Sequence, residues 1–439
     1  MLVTLPLIAA ERDTIAERGP LRLSLRRAVE LATSPEGSNY IQLQTETIKQ
    51  AQSRANQARG LLLPDVEAYL GYTNATRSLA ALGLSSVPLP FNIRIPSFVG
   101  PYDVLDARTT ATQVVFDYSI IQRLRSARSG VSTAKEQMND VHEQVTSMVA
   151  KAYLLALRSD ADTEAVQKDI DLADGLLKQA QRQKDAGSGT GIDVTRADVQ
   201  LANQRQRLLV AKNAQVKAHL QLLRTMNLRL DTQLELTDKL DYRPADIMKP
   251  EDAVAQAMAN RPDLKTQLKR EDTAKLSASS VKWERLPSVV MQADYGTIGD
   301  QKVTLMPTRN IYAAVRIPIF DGGRRDARRA EAFSQLRQEQ VRSSELREQI
   351  ELGVWLAIDS LRSSDEQVKV SRDGLRLAEN ELAQARRRFD AGVAVGLEVT
   401  DASTRLERAR TNQIQAIFNH SIARVDLGEA LGKTASMLD

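Results

Sequence analysis

The sequence of 439 residues contains no cysteine. Disulfide bonds, thiolate nucleophiles, cysteine-ligated zinc and a lipid-modified N-terminal cysteine are therefore excluded. Aromatic residues make up only 4% of the chain against 26% charged residues, a profile typical of long exposed helices rather than of a compact α/β enzyme. The net charge is only +4, because 60 basic side chains nearly balance 56 acidic ones. We therefore expect no nucleic-acid partner.

The sequence also lacks any apolar run approaching the roughly 18–20 residues that a membrane-spanning helix requires. A chain of this kind enters a bilayer only as β-strands. Leu2–Ala10 is apolar and ends in small residues, like the end of a signal sequence, but no basic stretch precedes it. We interpret residues 1–22 as an N-terminal segment, either a signal remnant or a mature start.

The chain carries an internal duplication, which decides its architecture. The segment DAGSGTGIDVTRAD at 185–198 is matched by DAGVAVGLEVTDAS at 390–403, and further landmarks recur in the same order in both halves. We therefore divide the chain into a first repeat, a linker, a second repeat and a tail, at 23–228, 229–250, 251–432 and 433–439.

Each repeat contains a long run without proline, at about 120–186 and about 322–391. At about 1.5 Å per residue, each run would extend roughly 100 Å as a continuous helix. Apolar or small residues recur there at alternating steps of three and four, which predicts left-handed coiled-coil packing. The positions are Met138, Val141, Val145, Met148, Ala152 and Leu155 in the first repeat, and Val368, Ser371, Leu375, Ala378, Leu382, Ala385 and Phe389 in the second.

Four shorter segments alternate apolar and polar residues with the period of two that predicts β-strands. The alternation is clear in the second repeat and weaker in the first. The segments are Val66–Thr73, Thr110–Phe116, 289–295 and 311–319. The sequence thus predicts two β-hairpins, at about 65–118 and about 288–320.

Four strands cannot close a barrel, because the smallest membrane barrels have about eight. Open edges are not tolerated in lipid, so a membrane barrel would be shared by two, three or four copies of the chain. Eleven of the 18 aromatic residues lie between Tyr69 and Tyr118 or between Trp283 and Phe320, which suits the aromatic girdles of such a barrel. A soluble β-layer that caps a helical bundle is the alternative.

The residues that carry a resemblance to a known family lie mostly in the second repeat. They are Ala259-Asn260-Arg261-Pro262-Asp263-Leu264, Ile317-Pro318-Ile319-Phe320-Asp321-Gly322-Gly323, and Gly392 followed by Gly396-Leu397-Glu398-Val399-Thr400-Asp401-Ala402. Together with the duplication, these motifs resemble the TolC, or outer membrane efflux protein, family from about Leu23 to Leu431.

The resemblance implies a mainly α fold with a small β part, in which long coiled-coil helices build an α-barrel. Four amphipathic strands per subunit would contribute to a trimeric, twelve-stranded outer-membrane β-barrel. The implied function is that of a passive exit duct in a tripartite efflux or type I secretion system of a Gram-negative-type bacterium, extending into the periplasm. The implied partners are a homotrimer of the chain, outer-membrane lipid, a periplasmic adaptor and an inner-membrane pump of the RND or ABC type. Transport energy would come from the pump, so no cofactor is expected.

The competing function is that of a periplasmic adaptor or a structural coiled-coil scaffold. Adaptors also carry long α-hairpins, but they carry one rather than two, and lipoyl-like β-modules rather than bilayer-length strands. An enzyme is not expected, because the three histidines, His142, His219 and His420, stand singly on predicted helices without an HExxH pattern. We interpret them as isolated buried or surface histidines rather than metal ligands.

Helix reversals are predicted at the two glycine turns, with tips at 187–193 and 392–398. The GSGTG segment in the first turn is not a phosphate loop, because no strand precedes it and no Lys-Ser/Thr follows it. Gly187 and Gly191 recur in the second repeat as Gly392 and Gly396. We expect these four glycines to permit the positive φ of a sharp reversal and to form the tip that docks the adaptor.

Glu398 and Asp401 lie three residues apart, hence on one helical face. They match the acidic pair that lines the periplasmic entrance in the family, and Asp193 stands at the equivalent place in the first repeat. Three copies would form rings of like charge that attract cations. The alternative is that these acids only complement a helix dipole. Ala394 and Phe389 replace a basic residue and a hydrogen-bonding tyrosine found in some members, which puts a polar latch at these positions in doubt.

Overall fold

The computed structural model describes residues 20–81, 83, 96–244, 248–300 and 305–437. Within these residues the α-helices are α1 (Leu25–Thr33), α2 (Asn39–Gly60), α3 (Tyr118–Asp185), α4 (Gly191–Thr225), α5 (Pro250–Asn260), α6 (Pro262–Lys282), α7 (Arg324–Asp390) and α8 (Gly396–Leu431). The strands are β1 (Leu21–Leu23), β2 (Asp65–Ser78), β3 (Phe98–Phe116), β4 (Leu234–Leu236), β5 (Ser288–Gly299) and β6 (Met306–Arg316). No described helix combines the length and the apolar composition that crossing a bilayer requires.

The chain forms two compact units, and each draws on both sequence repeats. The strand unit comprises Thr47–Lys135 and Gln267–Ser343. The helical unit comprises the described residues of Met1–Glu46, Glu136–Thr266 and Ser344–Asp439.

The two longest helices confirm the interpretation of the proline-free runs. Helices α3 and α7 contain 68 and 67 residues, so each is about 100 Å long at about 1.5 Å per residue. Helix α3 begins directly after Asp117, whose Oδ1 accepts hydrogen bonds from the backbone N–H groups of Ser119 at 2.8 Å and Ile120 at 3.4 Å. This carboxylate satisfies amides that have no partner within the first helical turn.

The core of the helical unit lies along the predicted heptad seams. One apolar cluster joins α3, α7 and α8 and contains Leu382, Ala385, Val399, Ala402 and Leu406, with Leu172 and Leu176 packed against it. In the first repeat, Met148 is 40% exposed, so its assignment to the seam is wrong. The buried row there runs through Val145, Val149 and Tyr153, so Val149 takes the place in the seam that is predicted for Met148.

Strands β2, β3, β5 and β6 form an antiparallel sheet in that order, which confirms the four predicted strands. Strands β2 and β3, with 14 and 19 residues, are longer than their predicted segments. Strand β6 ends at Arg316, so its predicted continuation to residue 319 is wrong. Pro318 has no backbone N–H to donate to the ladder, and Ile319, one residue later, is 94% exposed.

The register gives the sheet an apolar face and a polar face. Because directly paired residues point to the same side of a sheet, each row across the strands belongs to one face. The apolar face contains Val66, Ala68, Leu70, Ala107, Ala111, Met291, Ala293, Tyr295, Ile311 and Ala313. The polar face contains Asp65, Glu67, Asp106, Arg108, Thr110, Thr112, Gln292, Asp294, Asn310 and Tyr312. Large apolar side chains such as Leu70, Tyr295 and Ile311 are exposed, as suits contact with lipid.

Candidate functional site

The first helix reversal joins α3 to α4 through a glycine with positive φ. Gly187 has φ +72°, and its backbone N–H donates to the carbonyl oxygen of Lys184 at 3.0 Å. The N–H of Ser188 donates to the carbonyl oxygen of Gln183 at 2.9 Å. These bonds satisfy carbonyl groups that the end of α3 would otherwise leave unpaired.

The second reversal, between α7 and α8, repeats this geometry. Gly392 has φ +71°, and its N–H donates to the carbonyl oxygen of Phe389 at 3.0 Å. The expectation of positive φ therefore holds for Gly187 and Gly392. It is wrong for Gly191 and Gly396, which instead form the first residues of α4 and α8. Open space around Gly191 leaves room for a side chain there.

Asp193 of the first repeat is engaged in capping its own helix. Thr190 is the N-cap of α4, and the carboxylate of Asp193 accepts hydrogen bonds from the Thr190 backbone N–H at 3.4 Å and from its hydroxyl at 2.5 Å. The carboxylate thus supplies the acidic half of a capping box at the start of α4. Arg196 lies 3.9 Å from the other carboxylate oxygen. The local geometry of Asp193 is thus that of a helix-start acid.

Glu398 occupies the same helical position in the second repeat but has a different partner. The N-cap of α8 is Val395, whose side chain offers no hydrogen-bonding group. The Glu398 carboxylate extends instead to Arg388 near the end of α7, with Oε1 3.2 Å from the arginine Nε. The N-cap is threonine in the first repeat and valine in the second. With this difference, the acid of the second repeat binds an arginine across the turn and not the N-cap residue.

Asp401, one turn further along α8, also has an arginine partner. Its Oδ2 lies 3.7 Å from Nη2 of Arg405, and the same guanidinium binds Glu381 on α7. Sequence reasoning selected the two acids but missed Arg388 and Arg405. The pair of Asp401 and Arg405 could have been predicted, because residues four apart are neighbours on a helix. The partner of Glu398 could not, because it depends on how the turn folds back.

The two helix starts lie beside each other. A Cβ on Gly396 would stand 3.4 Å from Asp193 Oδ1 and 3.7 Å from the ring of Phe389. The ring packs against the apolar seam formed by α3, α7 and α8. A small crevice between the tips is lined by Leu176, Ala180, Asp193, Arg196, Ala197, Phe389, Gly396, Val399 and Thr400. Phe389 therefore contributes packing here, and the adjacent Arg388 supplies the polar contact.

A buried polar layer crosses the seam further from the tips. Glu407 on α8 is 5% exposed; it accepts hydrogen bonds from Gln200, at 3.0 Å, and from Gln204, and forms an ion pair with Arg207. Asp169 on α3 is likewise buried and lies 2.6 Å from Nη1 of Arg410. Burial raises the pKa of both carboxyl groups, against the opposing effect of the arginines. This layer fastens α8 to α3 and α4.

The three histidines lie apart from the tips. His219 Nε2 is 2.8 Å from Asp160 Oδ1. His420 is 1% exposed, and its ring packs on Tyr242 with centroids 5.0 Å apart. Burial lowers the pKa of His420 and of His142. Among the described residues, no group of three or more His, Asp and Glu side chains is placed to hold a metal ion.

The chain was compared with known proteins to identify a family that combines glycine turns, long helices and an amphipathic sheet. The sequence model of a family described as outer membrane efflux protein matches residues 41–228 and 253–433, one segment in each repeat. The chain belongs to this family. Its members are outer-membrane export channels rather than enzymes, and they work with efflux pumps.

Individual relatives of this efflux protein are distant but extend over most of its length. Outer membrane efflux protein BepC of Brucella suis is 22% identical over 388 residues, covering 83% of each chain. The pyoverdine export outer membrane protein OpmQ of Pseudomonas aeruginosa is 24% identical over 88% of this chain and 80% of its own. The crystal structure of VceC from Vibrio cholerae superposes with a TM-score of 0.78 at 17% identity, covering 93% of this chain and 96% of VceC.

Proposed function

We propose that three copies of this efflux protein assemble into an outer-membrane duct through the edges of their sheets. The observation that carries the proposal is the order β2-β3-β5-β6, which leaves β2 and β6 as edges in the part of the chain that the structure describes. Lipid does not tolerate unpaired edges. Pairing β2 of one copy with β6 of the next closes a ring, and three copies supply twelve strands with the apolar face outward.

The helical reversals at Gly187–Gly191 and Gly392–Gly396 form the end that meets a periplasmic adaptor, which in turn joins an inner-membrane pump of the RND or ABC type. Glu398, Asp401 and Asp193 line the mouth at this end. Each acid has an arginine within 4 Å on its own chain. These are pairs between largely exposed groups, worth about 0–1 kcal/mol, so they yield readily when the mouth opens. The duct conducts passively what the pump delivers.

Reconstitution into planar lipid bilayers tests this function. Purified protein in detergent should insert and give discrete conductance steps. Denatured protein should give none. Protein that remains monomeric and soluble without detergent, and leaves the bilayer silent, would exclude the duct and favour a periplasmic scaffold.

A further inference from the structure

A second charged site lies on the polar face of the sheet, in the strand unit. Arg108 on β3 is held by two carboxylates. Its Nε and Nη2 bind Asp106, two residues away on the same strand, at 2.8 and 2.7 Å. Its Nη1 lies 3.5 Å from Oδ1 of Asp294 on β5. The side chains of Arg108, Asp106 and Asp294 are 30%, 22% and 10% exposed. This arrangement is a compact ion cluster and not a loose surface pair.

Neighbouring glycines make room for the cluster. Gly296 pairs with Arg108 across the sheet, and a Cβ on this glycine would collide with the Cβ of Arg108 and with the carbonyl oxygen of Ala107. On the other side, Gly71 pairs with Asp106, and a Cβ there would collide with the hydroxyl end of Tyr69. The sheet therefore lacks side chains beside the Cβ of Arg108 and under the phenol of Tyr69.

The charge around Arg108 is unbalanced. Three consecutive rows of the polar face carry Glu67, Asp106 and Asp294 against the single cation Arg108. The remaining members of these rows are uncharged: Tyr69, Gly71, Thr110, Gly296, Ile298, Met306, Thr308 and Asn310. Each copy of the chain thus presents an excess of negative charge at this level of the sheet.

We propose that Arg108, Asp106 and Asp294 form a charged collar that sets the ion preference of the duct at the level of the strands, separately from the helix tips. This inference rests on the proposed function, which turns the polar face toward the lumen. Lumen-facing charges tune the selectivity of membrane barrels. The carboxylates of Glu67, Asp106 and Asp294 favour cations in the lumen, and the positive charge of Arg108 reduces this preference.

The test removes charges of opposite sign and measures the reversal potential across a planar bilayer under a salt gradient. Arg108→Gln should shift the potential further toward cation selectivity, whereas Asp106→Asn with Asp294→Asn should shift it toward anions. Salt near 0.1 M is suitable, because the Debye length is then about 10 Å. One unit charge acting across about 10 Å of water, screened by this salt, changes the ratio of cation to anion permeability by about twofold.

Two control variants separate the collar from other effects. Arg108→Lys keeps the charge and should keep the wild-type potential. Arg309→Gln removes the same charge from the row formed with Thr109 and Tyr295, on the apolar face next to the Arg108 row, and should also leave the potential unchanged. Equal potentials for wild type, Arg108→Gln and the double variant, all conducting, would overturn the collar and leave the duct intact. Silence of the wild type would instead overturn the proposed function.

Discussion

Arg388 and Glu398 face each other across the second helix reversal, with the arginine Nε 3.2 Å from the glutamate Oε1. In the first repeat, the acid at the matching position, Asp193, is bound by the N-cap residue Thr190. The difference follows from the N-cap, because Val395 has no side-chain oxygen or hydroxyl to bind Glu398. Of the two corresponding acids in the duplicated sequence, Asp193 thus caps its own helix, whereas Glu398 forms an ion pair with the long side chain of Arg388.

The first prediction concerns the charge of the mouth. Glu398→Gln combined with Asp401→Asn removes two negative charges per subunit at nearly constant side-chain volume. If both acids line the entrance, the double variant should lose much of its cation preference and any block by multivalent cations. The reversal potential across a planar bilayer under a salt gradient measures this change.

A matched control is Glu345→Gln with Glu348→Gln, two exposed acids that are also three residues apart but lie on α7 far from the tip. This variant should retain the wild-type potential. If wild type and the Glu398/Asp401 variant have identical ion selectivity, the two acids do not line the entrance and only complement the dipole of α8.

The second prediction concerns the tip geometry. Gly392→Val places a β-branched residue at φ +71°, a left-handed conformation that costs a non-glycine residue on the order of 1–2 kcal/mol. The variant should distort the tip and disable export, while trimer formation and membrane insertion remain intact. Export is measured in cells that depend on the protein. Gly374→Val is the control, since Gly374 is an exposed glycine within α7, away from the turn, with open space around it. Normal export by Gly392→Val would show that the turn tolerates a side chain or does not dock a partner.

The third prediction concerns the buried layer at Glu407. Glu407→Ala removes the acceptor shared by Gln200, Gln204 and Arg207 and should destabilise the protein by about 1–3 kcal/mol. Glu407→Gln keeps part of the hydrogen bonding and should cost less. Thermal unfolding midpoints should therefore fall in the order wild type, Gln, Ala. Glu379→Ala, an exposed position on α7, should leave the midpoint nearly unchanged; equal midpoints for all four proteins would contradict the role of the layer.

The fourth prediction is a pH dependence that arises from His420. Burial lowers the pKa of this imidazole below its usual 6.5, so the folded protein binds the proton more weakly than the unfolded chain. The stabilisation is therefore complete above pH 6.5 and is lost as the pH falls below that value, by at most about 1.4 kcal/mol per pH unit. Thermal midpoints should fall more steeply between pH 6.5 and 5 for the wild type than for His420→Gln. Parallel curves for the two proteins would contradict this account.

Much of the fold is predictable from the sequence, because its long helices have a strict period and its strands alternate. The proline-free runs locate α3 and α7 to within a few residues, and the glycines locate both reversals. The strand lengths were less predictable. Strand β3 reaches back to Phe98, far before the predicted start at Thr110, because pairing with β2 supports residues whose own alternation is weak.

The candidate sites were predictable only where partners are close in sequence. Asp401 and Arg405 are one helical turn apart, so their pairing follows from spacing. Arg108 and Asp294 are 186 positions apart and meet only through the register of β3 with β5. Neither residue is unusual in the sequence, and no periodic signal joins them. The same holds for Glu407 and Arg207, which meet only when α4 and α8 pack.

The most direct test of the central claim is native mass spectrometry of the protein released from detergent micelles. The proposed duct is a ring of three chains closed by pairing β2 of one copy with β6 of the next, so the account predicts a dominant species at three times the chain mass of 48.6 kDa. The account would be contradicted by a dominant species at the mass of one chain, together with protein that stays in solution when the detergent is removed.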